Sequence, residues 1–294
     1  MNFASITDYL EYIFDEFKAE ISGMDTLCDL RNVSFEGGNL PDYNNRAQAL
    51  LYCLRYHFGY AFEYKHIYQN YILNNFNHDH INVLSIGCGN GIDLWSLDQA
   101  INCSNTPIKS IIYLGVDRVD WGERFECSPN DQIEYYQGDV QKLPACTDNV
   151  DVVIFPKSLS ELADADLSYL SELINESTNE VIISASFRTD TNNLNRDSYK
   201  FNNFIKMFIG KGFEIAKGET GVYYTIDGLD SIYKNDPEFY YPNHVKEFVI
   251  DLYYNCDGAY GNRCSYQNIC SEQLTRQPIL NKNFARFNVI KLSR

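Results

Sequence analysis

The segment VLSIGCGNGIDLW, Val83 to Trp95, joins a strand pattern to a helix pattern through three glycines at every second position, Gly87, Gly89 and Gly91. Glycine lets a backbone turn tightly and lets a ligand approach it closely. A strand that runs through glycines into a helix is the geometry of a nucleotide site in an α/β sheet. The spacing narrows the choice. A dinucleotide fold wants G-x-G-x-x-G and a phosphate loop wants G-x-x-x-x-G-K-[ST]. Neither pattern is present, and no lysine follows Gly91.

From residue 82 onward, apolar runs alternate with helical patterns. Strands are expected at Val83–Ile86, Ile111–Val116, Ile133–Gln137, Val150–Phe155, Val181–Ser184, Phe213–Ala216 and Phe284–Leu292. This alternation predicts a doubly wound, mostly parallel seven-stranded sheet. A helix over Tyr199–Lys211 carries Phe201, Phe204, Ile205 and Phe208 on one face and ends at Gly212. Residues 1–80 read as a helical cap. Its first helix places Ile6, Leu10, Ile13, Phe14 and Phe17 at helical spacing, and a long aromatic helix from Tyr43 to Phe76 is expected to break near Gly59. The organisation expected is a cap (1–80), a core (81–218), a tyrosine- and cysteine-rich insertion (219–283) and a last core strand (284–294).

Charge bounds the partners. Across 294 residues the net charge is −16, which argues against holding bulk nucleic acid on a basic surface and leaves a local basic groove open. No apolar run approaches the ~18 residues of a membrane span, and the N-terminal pattern lacks a basic leader. A cytoplasmic protein with reduced cysteines is therefore expected.

In a doubly wound sheet, ligands sit at the carboxyl ends of the strands where the winding reverses. Asp117 stands at the end of the second strand, where a carboxylate can accept both hydroxyls of a ribose. Asp139 and Val140 follow the third, suited to an adenine edge. The fourth begins near Asp151 and ends in Phe155-Pro156-Lys157-Ser158. Taken singly, Asp117 or Asp139 reads as a helix cap or turn residue.

Taken in order, these motifs resemble the class I S-adenosylmethionine-dependent methyltransferases over roughly residues 82–217. The resemblance implies that Ser85, Gly87, Cys88, Gly89, Asn90 and Gly91 pass the cofactor's methionine and ribose. It implies Asp117 and Arg118 at the ribose, Asp139 and Val140 at the adenine, and the loop Phe155, Pro156, Lys157 and Ser158 beside the sulfonium and the substrate. Ser85 departs from the acid common in that family. FPKS differs from the (D/N)PP(Y/F) of amino-methylating nucleic-acid enzymes, and no Pro-Cys pair suits cytosine-C5 chemistry.

Candidates to align an acceptor or take its proton are Lys157, Glu161, Tyr56, His57, Tyr60 and Tyr64. Each has a plainer reading: a solvated loop lysine, a helix-start acid after Ser158 or Ser160, or aromatic packing. Cys256, Cys264 and Cys270 lie in a C-x7-C-x5-C pattern, with His244 as a fourth donor. They read either as a zinc or iron–sulfur site or as three ordinary thiols. A looser resemblance, to mitoribosome-associated methyltransferase relatives, rests on LRYHFGYAFEYKHIY, GNGIDLW, SLSEL and the late cysteines, and keeps an RNA partner as an alternative. The function expected is methyl transfer to a small-molecule or protein acceptor. The alternatives are that RNA-associated role, or cofactor binding or assembly without turnover.

Overall fold

A computed structural model of the chain describes residues 1–24, 27–33, 41–128, 130–144, 149–226, 239–256 and 267–294. Two compact units divide it: Met1–Asn2, Glu63–Gly228 and Lys282–Arg294 form the first, and Phe3–Phe62 with Leu229–Asn281 the second.

The first unit is built on one seven-stranded sheet. Its strands are β1 (His80–Ile86), β2 (Ser110–Asp117), β3 (Gln132–Gln137), β4 (Val152–Pro156), β5 (Glu180–Ser186), β6 (Glu214–Lys217) and β7 (Phe287–Ser293). The order is β3-β2-β1-β4-β5-β7-β6. Six strands point one way, and β7 runs antiparallel between β5 and β6. This is the doubly wound, mostly parallel seven-stranded sheet that the sequence predicts. The winding reverses between β1 and β4, and sheets of this kind take their ligands at the carboxyl ends of the strands on either side of that reversal. β4 starts at Val152; just before it, the Asp151 N–H donates to the Asn82 carbonyl at 3.0 Å, and its carboxylate accepts the Asn82 N–H at 2.8 Å. β7 starts at Phe287 because Lys282–Phe284 form a short 3-10 turn.

Leu84 and Ile86 of β1, Val153 and Phe155 of β4 and Ile183 of β5 share a core with helices α4 (Asp164–Ser177) and α5 (Thr191–Ile209). Each fully buried large apolar side chain contributes about 1.5–3 kcal/mol. Phe201, Phe204, Ile205 and Phe208 of α5 point inward at helical spacing, as expected. The helix begins well before Tyr199 because Asp190 caps it, accepting the Asn193 N–H at 3.0 Å. Helix α3 (Ile92–Asn102) follows β1 directly.

The second unit is helical. Helix α1 (Ile6–Ser22) is capped by Ser5, whose hydroxyl accepts the Asp8 N–H at 3.1 Å, and buries the predicted stripe Ile6, Leu10, Ile13, Phe14 and Phe17. Helix α2 (Arg46–Ile67) runs unbroken through Gly59, contrary to the expected break. A Cβ at Gly59 would stand 2.6 Å from Ile279 Cγ2, so the glycine serves a close approach rather than a bend. Residues of α2 up to Phe62 belong to this unit and Glu63 onward to the first. Helices α6 (Asn243–Ile250) and α7 (Gln267–Leu274) complete it. Arg55 is buried and ties two segments together, donating to the Val33 carbonyl at 3.1 Å and the Gln273 carbonyl at 2.8 Å. Burial lowers its pKa to about 10. Among the described residues, no helix is long and apolar enough to cross a membrane.

Candidate functional site

The three glycines of the β1–α3 turn all have positive φ, at 71°, 59° and 89° for Gly87, Gly89 and Gly91. Each needs to be glycine for a different reason. A Cβ on Gly87 would fall 2.3 Å from Ser158 Cβ, and one on Gly91 would fall 2.1 Å from the Tyr135 hydroxyl. At Gly89 the nearest atoms are on the Trp121 ring, 3.7 Å away. The turn is thus too tight for a side chain at both ends, while in the middle a Cβ would rest in ordinary contact with Trp121. The Val116 carbonyl accepts the Gly87 and Cys88 N–H groups at 2.7 and 3.1 Å, fixing the turn to β2. Cys88 is buried, and burial pushes its thiol pKa well up. The Asn90 carbonyl accepts the Phe125 N–H at 2.9 Å.

Asp117 meets this turn. Its carboxylate accepts the Gly89 N–H at 2.8 Å and the Val119 N–H at 2.9 Å. Burial raises its pKa, while those two N–H groups and Trp121 favour the charged form. Two backbone bonds leave acceptor capacity on the two oxygens. Arg118 reaches Asp139, 2.9 Å from Nε to Oδ1, in an exposed pair. Val140 opens a 3-10 turn, Val140–Lys142, directly after Asp139.

Ser85 carries no acid, but a carboxylate stands beside it on α3. Asp93 is fully buried and accepts the Tyr113 hydroxyl at 3.0 and 3.2 Å. Burial raises its pKa to about 6, against the stabilising hydrogen bonds of Ser85, Tyr113 and the helix-start N–H groups. The sequence signal for Asp93 was present in GNGIDLW: a charge on an otherwise apolar helix start.

At the end of β4 the Phe155 side chain turns into the core, 5.3 Å from Phe204 between ring centroids. Lys157 is buried. Its ammonium lies 2.8 Å from Glu63 Oε2 and donates to the Phe187 carbonyl at 2.9 Å. Glu161 closes a 3-10 turn, Leu159–Glu161, and does not start a helix; α4 begins at Asp164, and Asp166 supplies its cap by accepting the Ala163 N–H at 2.8 Å. Glu161 pairs with Arg188, and burial raises its pKa. Glu63, Arg188 and Trp121 were not singled out in the sequence. Glu63 had one readable signal, an acid among the aromatic positions of a buried helix.

Tyr56 and Tyr60 stack in the second unit, ring centroids 5.9 Å apart. His57 is buried there, with Nδ1 2.7 Å from the Tyr9 hydroxyl, and burial lowers its pKa to about 3. Tyr64 lies buried in the first unit. Of the cysteine pattern, Cys264 lies outside the described residues, Cys256 is half-buried and Cys270 buried. His244 Nε2 sits 2.9 Å from Glu11. Among the described residues no three His, Cys, Asp or Glu side chains gather in a metal-binding group.

No protein-family model matches the chain, and no curated protein matches its sequence. Solved structures do resemble it. The plantazolicin methyltransferase BpumL, in complex with a monoazolic desmethylPZN analog and SAH, is 10% identical over 97% of this chain and 99% of its own, with a TM-score of 0.43. A cyclopropane-fatty-acyl-phospholipid synthase-like protein from Lactobacillus casei is 11% identical over 98% and 100%, TM-score 0.43. A TehB-like SAM-dependent methyltransferase from Corynebacterium glutamicum is 12% identical over 80% and 87%, TM-score 0.37. The fold itself is defined by the strand order and the single reversed strand.

Proposed function

We propose that this chain is an S-adenosylmethionine-dependent methyltransferase acting on a small-molecule or protein acceptor. One observation carries the reading: Gly89 holds a left-handed backbone over which only the Trp121 ring lies, in ordinary contact at 3.7 Å from where a Cβ would stand, while its N–H is held by Asp117. A bare backbone beside a carboxylate suits a ligand that carries a ribose and must come close. When bound, the cofactor supplies an electrophilic methyl group. The chain's part is to bind and align. Asp117 would accept the ribose hydroxyls, and Asp139 and Val140 would address the adenine. The exposed Arg118–Asp139 pair contributes little and yields readily to a ligand. The net charge of −16 favours small or protein acceptors over bulk nucleic acid.

A second reading, cofactor binding without turnover, is favoured by Lys157 and Glu161. Both are committed to ion pairs and do not offer a free base.

Calorimetric titration with S-adenosylmethionine and S-adenosylhomocysteine tests the proposal. Micromolar binding is expected, and Asp117→Ala should weaken it by about 1–3 kcal/mol through lost hydrogen bonds to a charged group. Unchanged affinity in that variant would remove the ribose assignment. A folded wild type that binds neither ligand overturns the methyltransferase reading.

A further inference from the structure

Lys157 combines two unfavourable features. Its φ is 58°, the one positive φ among the described non-glycine residues. Its ammonium is buried with Glu63, side-chain exposures being 8% and 3%. A left-handed non-glycine residue persists only where its surroundings over-determine it. A buried ion pair is seldom more stabilising than apolar side chains of the same size. At Lys157 the surroundings are dense. The ammonium reaches Glu63 at 2.8 Å and the carbonyls of Phe187 and Phe284 at 2.9 and 3.4 Å. The other Glu63 oxygen accepts the Ser186 hydroxyl at 2.8 Å and the Arg286 N–H at 3.1 Å. The Lys157 carbonyl accepts Arg188 Nε at 3.3 Å. One pair therefore joins the end of α2 to the ends of β4 and β5 and to the start of β7.

The next residue leads to the cofactor side. The Ser158 hydroxyl donates to the Ile86 carbonyl at the end of β1. Its Cβ occupies the space that a side chain on Gly87 would need. A displacement of Lys157 is thus passed to Ser158 and from Ser158 to the first glycine of the turn.

We propose that the Glu63–Lys157 pair is a positioning device: it sets the β4-end loop so that Ser158 holds the glycine turn in its cofactor-binding shape. The proposal rests on the methyltransferase reading. Neither residue is assigned a proton to move. Their charges fix where a backbone lies, which apolar packing of equal volume does less well.

The test compares Glu63→Gln, Lys157→Met and the double variant with wild type, measuring S-adenosylhomocysteine affinity by calorimetry and melting temperature on the same preparations. Each single variant leaves one member unpaired, so both measurements should fall, affinity by tenfold or more. The double variant removes both charges and keeps the volumes, so most of the melting temperature should return while affinity stays at least tenfold below wild type. A merely structural pair would restore both together. Wild-type affinity in the double variant, or in either single variant, overturns the proposal. If the single variants do not fold, the double variant decides, and its own failure to fold also overturns the proposal by making the pair a requirement of folding. A wild type that binds no cofactor is a separate result, which removes the methyltransferase reading itself.

Discussion

Two loops meet at the mouth of the sheet, and they reach unusual backbone shapes by opposite routes. The turn after β1 takes positive φ at Gly87, Gly89 and Gly91, where glycine adopts it without a Cβ penalty. The loop after β4 takes positive φ at a lysine, held by a buried charge pair. The first loop's shape comes from what its residues lack. The second loop's shape comes from partners supplied by α2, β5 and the segment before β7. A local solution tolerates a change elsewhere in the chain, whereas a distributed one fails when any partner is lost.

The largest effects should separate the two. Lys157→Met leaves Glu63 buried and unpaired, with an expected loss of about 3–5 kcal/mol. Gly87→Ala sets a Cβ against Ser158 in a left-handed backbone, with an expected loss of about 2–5 kcal/mol. Denaturant unfolding reads both, and near-wild-type stability in either would mean that loop is less constrained than its contacts indicate.

Next is a pH effect beneath the glycine turn. Between the ordinary 3.8 and about 6, the buried Asp93 carboxyl keeps its proton in the folded chain and loses it in the unfolded one. The folded state binds more protons there, so this group's contribution to stability falls as pH rises from about 4 to about 6, by about 3 kcal/mol. Asp93→Asn should flatten that part of the stability profile relative to wild type. Parallel profiles would show that Asp93 titrates normally.

The smallest stability effect belongs to the middle glycine. Gly89→Ala meets no close neighbour and should cost only the left-handed conformation, about 1–2 kcal/mol. On the proposed methyltransferase reading its cofactor affinity should nevertheless drop, because the added methyl group would stand where that reading brings the ligand in. If stability collapses while affinity holds, the roles of Gly87 and Gly89 are reversed.

Much of the sheet was legible because strand periodicity and turn glycines are local. All seven strands were placed within a few residues, and the place of Asp117 at the end of β2 was legible because a strand end is a position in the sequence. Asp93 and Glu63 were harder, since their meaning depends on what they are buried against. The smooth passage of α2 through Gly59 was misread for the same reason: the glycine answers to Ile279, which lies far along the chain.

By itself the sequence determined the doubly wound sheet, the glycine turn and the carboxylate at the end of β2, because hydrophobic period, backbone permissiveness and strand-end position are set by near neighbours. Only the tertiary structure decided which turn glycines have no room for a Cβ and which has, that Lys157 turns inward to Glu63, and that Asp93 stands beside Ser85. Those facts depend on residues distant in sequence arriving at one place, and burial there reverses what a charge does in water.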